Sequence, residues 1–109
     1  MSDINNLIGV VLNMKNMVSY QPGSVVSRTV LDKSVGTVTV FAFDSGQGLS
    51  EHTAPFDAIV QVLDGSVEIE IDHKPHILVT GESIIMPANI PHAVTALEKF
   101  KMLLIMIKG

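Results

Sequence analysis

From Val25 to Ile107 the chain is a succession of short apolar segments, each ended within a few residues by glycine, proline or aspartate. That punctuation leaves no room for a long helix and suits an all-β chain of short strands closing on one another. Val25–Leu31 and Gly36–Phe43 are rich in Val, Thr and Phe, with Lys33-Ser34 as the turn between them. Ala58–Leu63 is an apolar run that stops at Asp64-Gly65, a two-residue hairpin signal. The segment after it, Val67-Glu68-Ile69-Glu70-Ile71-Asp72, alternates strictly, which gives one apolar face and one acidic, solvated face. His73-Lys74 reads as the next turn, Ile77–Val79 as a strand and Thr80-Gly81-Glu82 as a break. Ser83–Met86 is halted by Pro87, and His92–Leu97 and Phe100–Ile107 complete the set. The prolines fall at strand ends, where no ladder hydrogen bond is lost.

The N-terminal stretch is different. Residues 4–17 place Leu7, Ile8, Val11, Leu12 and Met14 at roughly helical spacing, interrupted by Gly9 and several asparagines. A short helix or an edge strand lying against the barrel is expected there, until Gln21-Pro22-Gly23 breaks the chain. The organisation expected is an arm over 1–21 and one barrel domain over 22–109, since 109 residues close one core and not two.

Hydrophobic residues make up 47% and charged residues 17%, which excludes a disordered chain. So few charges imply that part of the surface is covered, most simply by a second copy, and a homodimer is expected. The formal charge of −4, with no basic stripe, argues against nucleic acid. No stretch is long enough to span a bilayer, and the start lacks the Lys or Arg of a secretory signal. Cysteine is absent, so disulfides, thiolate metal sites and Cys nucleophiles are excluded. A cytoplasmic location is the expectation. Neither a Ser/His/Asp pattern nor a phosphate loop nor a dinucleotide fingerprint is present.

Two histidine segments hold what chemistry there is. In the first, Gly46 is followed by five residues and His52, then Ala54, Ala58 and, after six more residues, Gly65. In the second, Gly81 is followed by five residues and Pro87, then Asn89, His92 and Ala96. These spacings resemble the two motifs of the cupin superfamily, in particular its small single-domain, RmlC-like members. In that family positions 54 and 58 would be His and Glu, position 89 Gly and position 96 Asn. The resemblance covers about half the chain. It implies a double-stranded β-helix, the jelly-roll barrel, with a short N-terminal arm, and a pairing of copies into dimers. It also implies that His52 and His92 face one another across the barrel mouth, in a metal cage from which two ligands have been lost.

The residues themselves say the same in physical terms. A Lewis-acid or redox metal wants imidazoles and a carboxylate converging on one point, with positions left open. Side chains at i and i+2 of a strand share a face, so His52 points with Ala54, and His92 with Val94 and Ala96. Glu51 and Asp57 have the wrong parity for the interior unless a bulge re-aims them. The pocket candidates are His52, His92, Met86, Ala54 and Ala58, with His52 and His92 as an incomplete metal pair for weakly bound Fe, Mn, Ni or Zn at most. Against this stands a plain alternative, two relic histidines bonded to backbone in a filled barrel. Core packing is the reading for Met102 and Met106, and core or interface for Phe41, Phe43 and Phe56. Arg28 reads as surface or interface, and His73 and His76 as solvated turn residues. Two functions follow: a module binding a small molecule in the barrel, or an enzyme. The enzyme would use an atypical two-His metal centre, or His52 or His92 as acid or base in an isomerase or lyase.

Overall fold

The computed structural model describes residues 7–108. Nine strands follow in order: β1 (Val25–Lys33), β2 (Gly36–Phe43), β3 (Gly48–His52), β4 (Asp57–Asp64), β5 (Ser66–Ile71), β6 (Lys74–Val79), β7 (Ser83–Met86), β8 (His92–Ala96) and β9 (Phe100–Ile107). They form two antiparallel sheets, ordered β1-β2-β9-β4-β7 and β3-β8-β5-β6. The fold is the all-β jelly-roll barrel that the resemblance implies. Alternation decides what lies between the sheets: Val60 and Val62 of β4, Val67 and Ile69 of β5, and Phe100 and Met102 of β9 are all sealed from solvent. Phe43 and Phe100 pair directly across β2 and β9 and stack with ring centroids 4.7 Å apart.

Asp64-Gly65 does not turn a hairpin. β4 and β5 belong to different sheets, and Gly65, at φ 83°, carries the chain from one to the other. A Cβ at this position would collide with the carbonyl oxygen of Lys99, so close approach as well as dihedral demands glycine. The Asp64 carboxylate accepts a hydrogen bond of 2.6 Å from the Tyr20 hydroxyl. Burial, and then that bond, push the Tyr20 phenol well above its usual range. The real two-residue hairpin lies at Asp72-His73, between β5 and β6, one residue earlier than expected. Both residues have positive φ, 52° and 63°, as a type I′ turn requires. The first turn likewise sits at Ser34-Val35 rather than at Lys33-Ser34.

Neither an α-helix nor a strand forms in the described part of the N-terminal stretch, whose residues 4–6 lie outside the description. The element that lies wholly within the described residues there is a 3-10 turn, Met14–Asn16. Burial, not helix formation, sets its path. Val18 is buried, and Leu7, Leu12, Met14, Met17 and Tyr20 pack with it against Val30, Val40 and Ala42 on the outer face of the five-stranded sheet.

Of the next row of that outer face, the arm reaches only the Leu31–Val38 end. Register pairs Leu31 with Val38, Val38 with Ile105, Ile105 with Ile59 and Ile59 with Ile85. Directly paired residues point the same way, so one apolar side chain per strand runs across all five strands. Leu31 and Ile85, its two ends, are exposed. Among the described residues no helix is long and apolar enough to cross a membrane.

Candidate functional site

A cavity of about 50 Å³ opens between the sheets, lined by Leu49, His52, Ala54, Ala58, Met86, His92, Val94, Met102, Leu104 and Met106. All five pocket candidates read from the sequence therefore meet in one place. The lining is apolar except for the two imidazoles, and the volume suits a few heavy atoms, roughly three or four water-sized ones.

His52 ends β3, His92 begins β8, and the two are direct partners across that pairing. A register irregularity between Leu49 and His52 sets the angle at which His52 arrives. Their Nε2 atoms are 3.2 Å apart, and the rings meet edge to face at 69°. Each Nδ1 is committed to a backbone carbonyl oxygen: His52 to Ser50 at 2.7 Å, His92 to Ile90 at 3.2 Å. A carbonyl only accepts, so each Nδ1 donates, and a ring in its neutral form carries its lone pair on Nε2. With both rings neutral two acceptors face one another, a contact that a proton or another electron-poor guest satisfies. Burial lowers the His92 pKa below the usual imidazole value, and the neighbouring His52 lowers it further, against an opposing pull from Ile90. The backbone bonds of the plain alternative are present, and they are what aims both Nε2 atoms at a common point.

The loop Pro87–Pro91 holds this mouth in shape. Asn89 stands where the resemblance expects glycine, and its φ of 63° is one that asparagine tolerates. Its amide donates to the Ala54 carbonyl at 2.8 Å, which ties the second histidine segment to the first. The Ala88 amide donates to Asp57 Oδ1 at 2.8 Å, so this carboxylate is a loop anchor and not a cavity group. Glu51 turns outward and meets His73 Nδ1 at 3.0 Å. His73 and His76 are both exposed, as turn and edge residues should be.

The cupin-domain family profile matches residues 39–108. The chain belongs to the cupin family. This cupin is similar in structure to the conserved SPY1581 protein of unknown function from Streptococcus pyogenes, with 39% identity and a TM-score of 0.87 over 93% of this chain and 89% of that one. A cupin 2 conserved barrel domain protein from Leptotrichia buccalis matches with 46% identity and a TM-score of 0.86 over 89% of this chain and 47% of that one. Protein SchB of Streptomyces halstedii is 29% identical over 70 residues, 63% of this chain. The cupin spans about half the length of that curated relative, 51%.

Cupins often bind metals, and the donor set here does not fit a hard divalent ion. Positions 54 and 58 present methyl groups to the cavity. Among the described residues no group of three or more His, Cys, Asp and Glu side chains converges. Two neutral imidazoles among methionine, leucine and valine supply neither the oxygen ligands nor the negative charge that iron or manganese requires.

For Met102 and Met106 the sequence allows a place in an apolar pocket, with core packing as the default reading. Met102 is indeed in the core, 1% exposed, yet both also line the cavity. The parity of β9 could have placed them together, because Met102, Leu104 and Met106 share one face.

Proposed function

We propose that this cupin is a binding module that takes a small guest into the barrel, with the His52–His92 pair as its polar contact. The observation that supports this best is the pair of Nε2 lone pairs converging at the mouth of an otherwise apolar cavity. Binding sites are commonly built this way, with a hydrophobic lining for affinity and few polar groups for orientation. The absence of an inward carboxylate among the lining residues speaks against one form of the enzyme alternative, the metal-dependent one. Ala54, half-buried on the rim, allows a direct test. In thermal-shift titrations with a panel of one- to three-carbon alcohols and amines, the wild type is expected to gain stability with concentration, by about 2.7 kcal/mol at a hundred times Kd. Ala54→Phe, which plugs the mouth, is expected to abolish the response while the variant stays folded. A flat wild-type response overturns an organic guest, and an undiminished response in Ala54→Phe overturns binding at this mouth.

The open outer row is read as the seat of a second copy of the chain. It runs about 19 Å across five strands at the usual strand spacing. Beside it lies a row of Lys33, Gly36, Ile107 and Asp57, with opposite charges towards its two ends. A twofold stacking of two such faces brings Lys33 of one copy towards the Asp57 side of the other. Light scattering at micromolar concentration is expected to give a dimer for the wild type and a monomer for Ile59→Lys. A monomeric wild type, or a dimeric Ile59→Lys, removes this interface. A cytoplasmic setting, with no cysteine to oxidise, accords with both readings.

A further inference from the structure

The methyl group at position 58 has thioethers on either side of it. Ala58 on β4 pairs with Met86 on β7 and with Met106 on β9. All three line the same cavity as the two imidazoles. At the level where a carboxylate has been lost, the flanking strands therefore each present a sulfur-bearing side chain to the interior.

We propose that the cavity is a site for a soft monovalent cation, Cu(I), held by His52 Nε2, His92 Nε2 and the thioethers of Met86 and Met106. This rests on the cavity being a binding site and names the chemical class of its guest.

Three physical features favour that ion over a hard divalent one. Thioethers are donors that select Cu(I) and imidazole also serves copper, whereas hard cations prefer oxygen. At a metal–imidazole bond of about 2.0 Å, nitrogens 3.2 Å apart subtend about 105° at a shared ion, close to tetrahedral. Two such imidazoles leave two further positions, which matches two thioethers. Every donor is neutral, so one positive charge is left uncompensated in the apolar cavity rather than two, and burying charge is costly. The tautomers are already correct, because each Nδ1–H is fixed by a carbonyl and each Nε2 is free to coordinate.

The experiment is an anaerobic titration of the full chain with Cu(I) against the chromophoric chelator bicinchoninate. The wild type is expected to withdraw one equivalent of Cu(I). The double variant Met86→Leu/Met106→Leu, which keeps volume and so keeps the fold, is expected to bind at least about tenfold more weakly, on the scale of losing a partner of a metal site. With 13C-methyl methionine, Ag(I) as a redox-inert probe is expected to shift the Met86 and Met106 methyl resonances and leave Met14 and Met17 unmoved. No withdrawal of Cu(I), equal affinity in the Met→Leu variant, or unmoved Met86 and Met106 resonances each overturns the proposal. The alcohol and amine panel separates the two levels. If the panel binds and Cu(I) does not, only the cation assignment falls; if neither binds, the cavity is not a binding site.

Discussion

Ala54→His combined with Ala58→Glu is expected to turn this cupin into a divalent-metal protein. Both positions already line the cavity with His52 and His92. The double change would bring three imidazoles and one carboxylate to a common point, with coordination positions left for water. The new carboxylate supplies the charge that the present lining lacks and the hard oxygen that iron, manganese or cobalt prefers. Losing a single outer-shell partner costs a metal site about ten- to a hundredfold in affinity, so two added ligands should raise Co(II) affinity by at least about a hundredfold. Titration with Co(II), followed by its visible absorption, reads the outcome directly, and Ala54→His alone should fall between the wild type and the double variant. The Cu(I) preference should weaken in the same protein, because a carboxylate beside Met86 and Met106 hardens the site. A double variant with no gain in Co(II) affinity would show that positions 54 and 58 do not share a centre with the two histidines.

The fold was legible because the chain alternates where one face is wet. Val67, Ile69 and Ile71 against Glu68 and Glu70 set the parity of β5 without help from the rest of the molecule. The cupin-like spacings around His52 and His92 brought Ala54 and Ala58 in among the pocket candidates, and Met86 joined them from its seat just before Pro87. What stayed hidden depends on partners distant in sequence. Asp64-Gly65 signals a positive φ at glycine but not which strand comes next, and here the chain crosses to the other sheet. The parity of β9 puts Met102, Leu104 and Met106 on one face, but with nearly every position apolar the sequence does not say which face is the inner one. Only the pairing of β9 with β4 and β7's pairing with β4 show that Met86 and Met106 flank Ala58. The N-terminal arm shows the same limit: its apolar spacing fits a helix, yet contact with Val30, Val40 and Ala42 draws it out along a sheet.

Phe100→Ala is expected to be the most destabilising single truncation in the barrel, and to leave the cavity chemistry untouched. Phe100 is fully buried and stacked on Phe43, itself fully buried, with the rings 4.7 Å apart and tilted by 25°. Removing a ring from such a site costs about 3–5 kcal/mol, since packed neighbours relax only partly into the space left. Domains of this size are held by about 5–15 kcal/mol, so the loss is about a fifth or more of the whole. At about 4–8 °C per kcal/mol, Tm should fall by roughly 12–40 °C. Phe41→Ala is the control: its ring is half-buried and lies 5.9 Å from Phe43, so its loss should be clearly smaller. Urea unfolding at fixed protein concentration separates the two, with the midpoint moving and the slope constant if only the native state is weakened. Phe100 is not among the cavity-lining residues. Folded Phe100→Ala protein, kept cold, should therefore bind Cu(I) and the small probes as the wild type does. Equal losses for the two phenylalanines would mean that the Phe43–Phe100 stack is not the centre of the core.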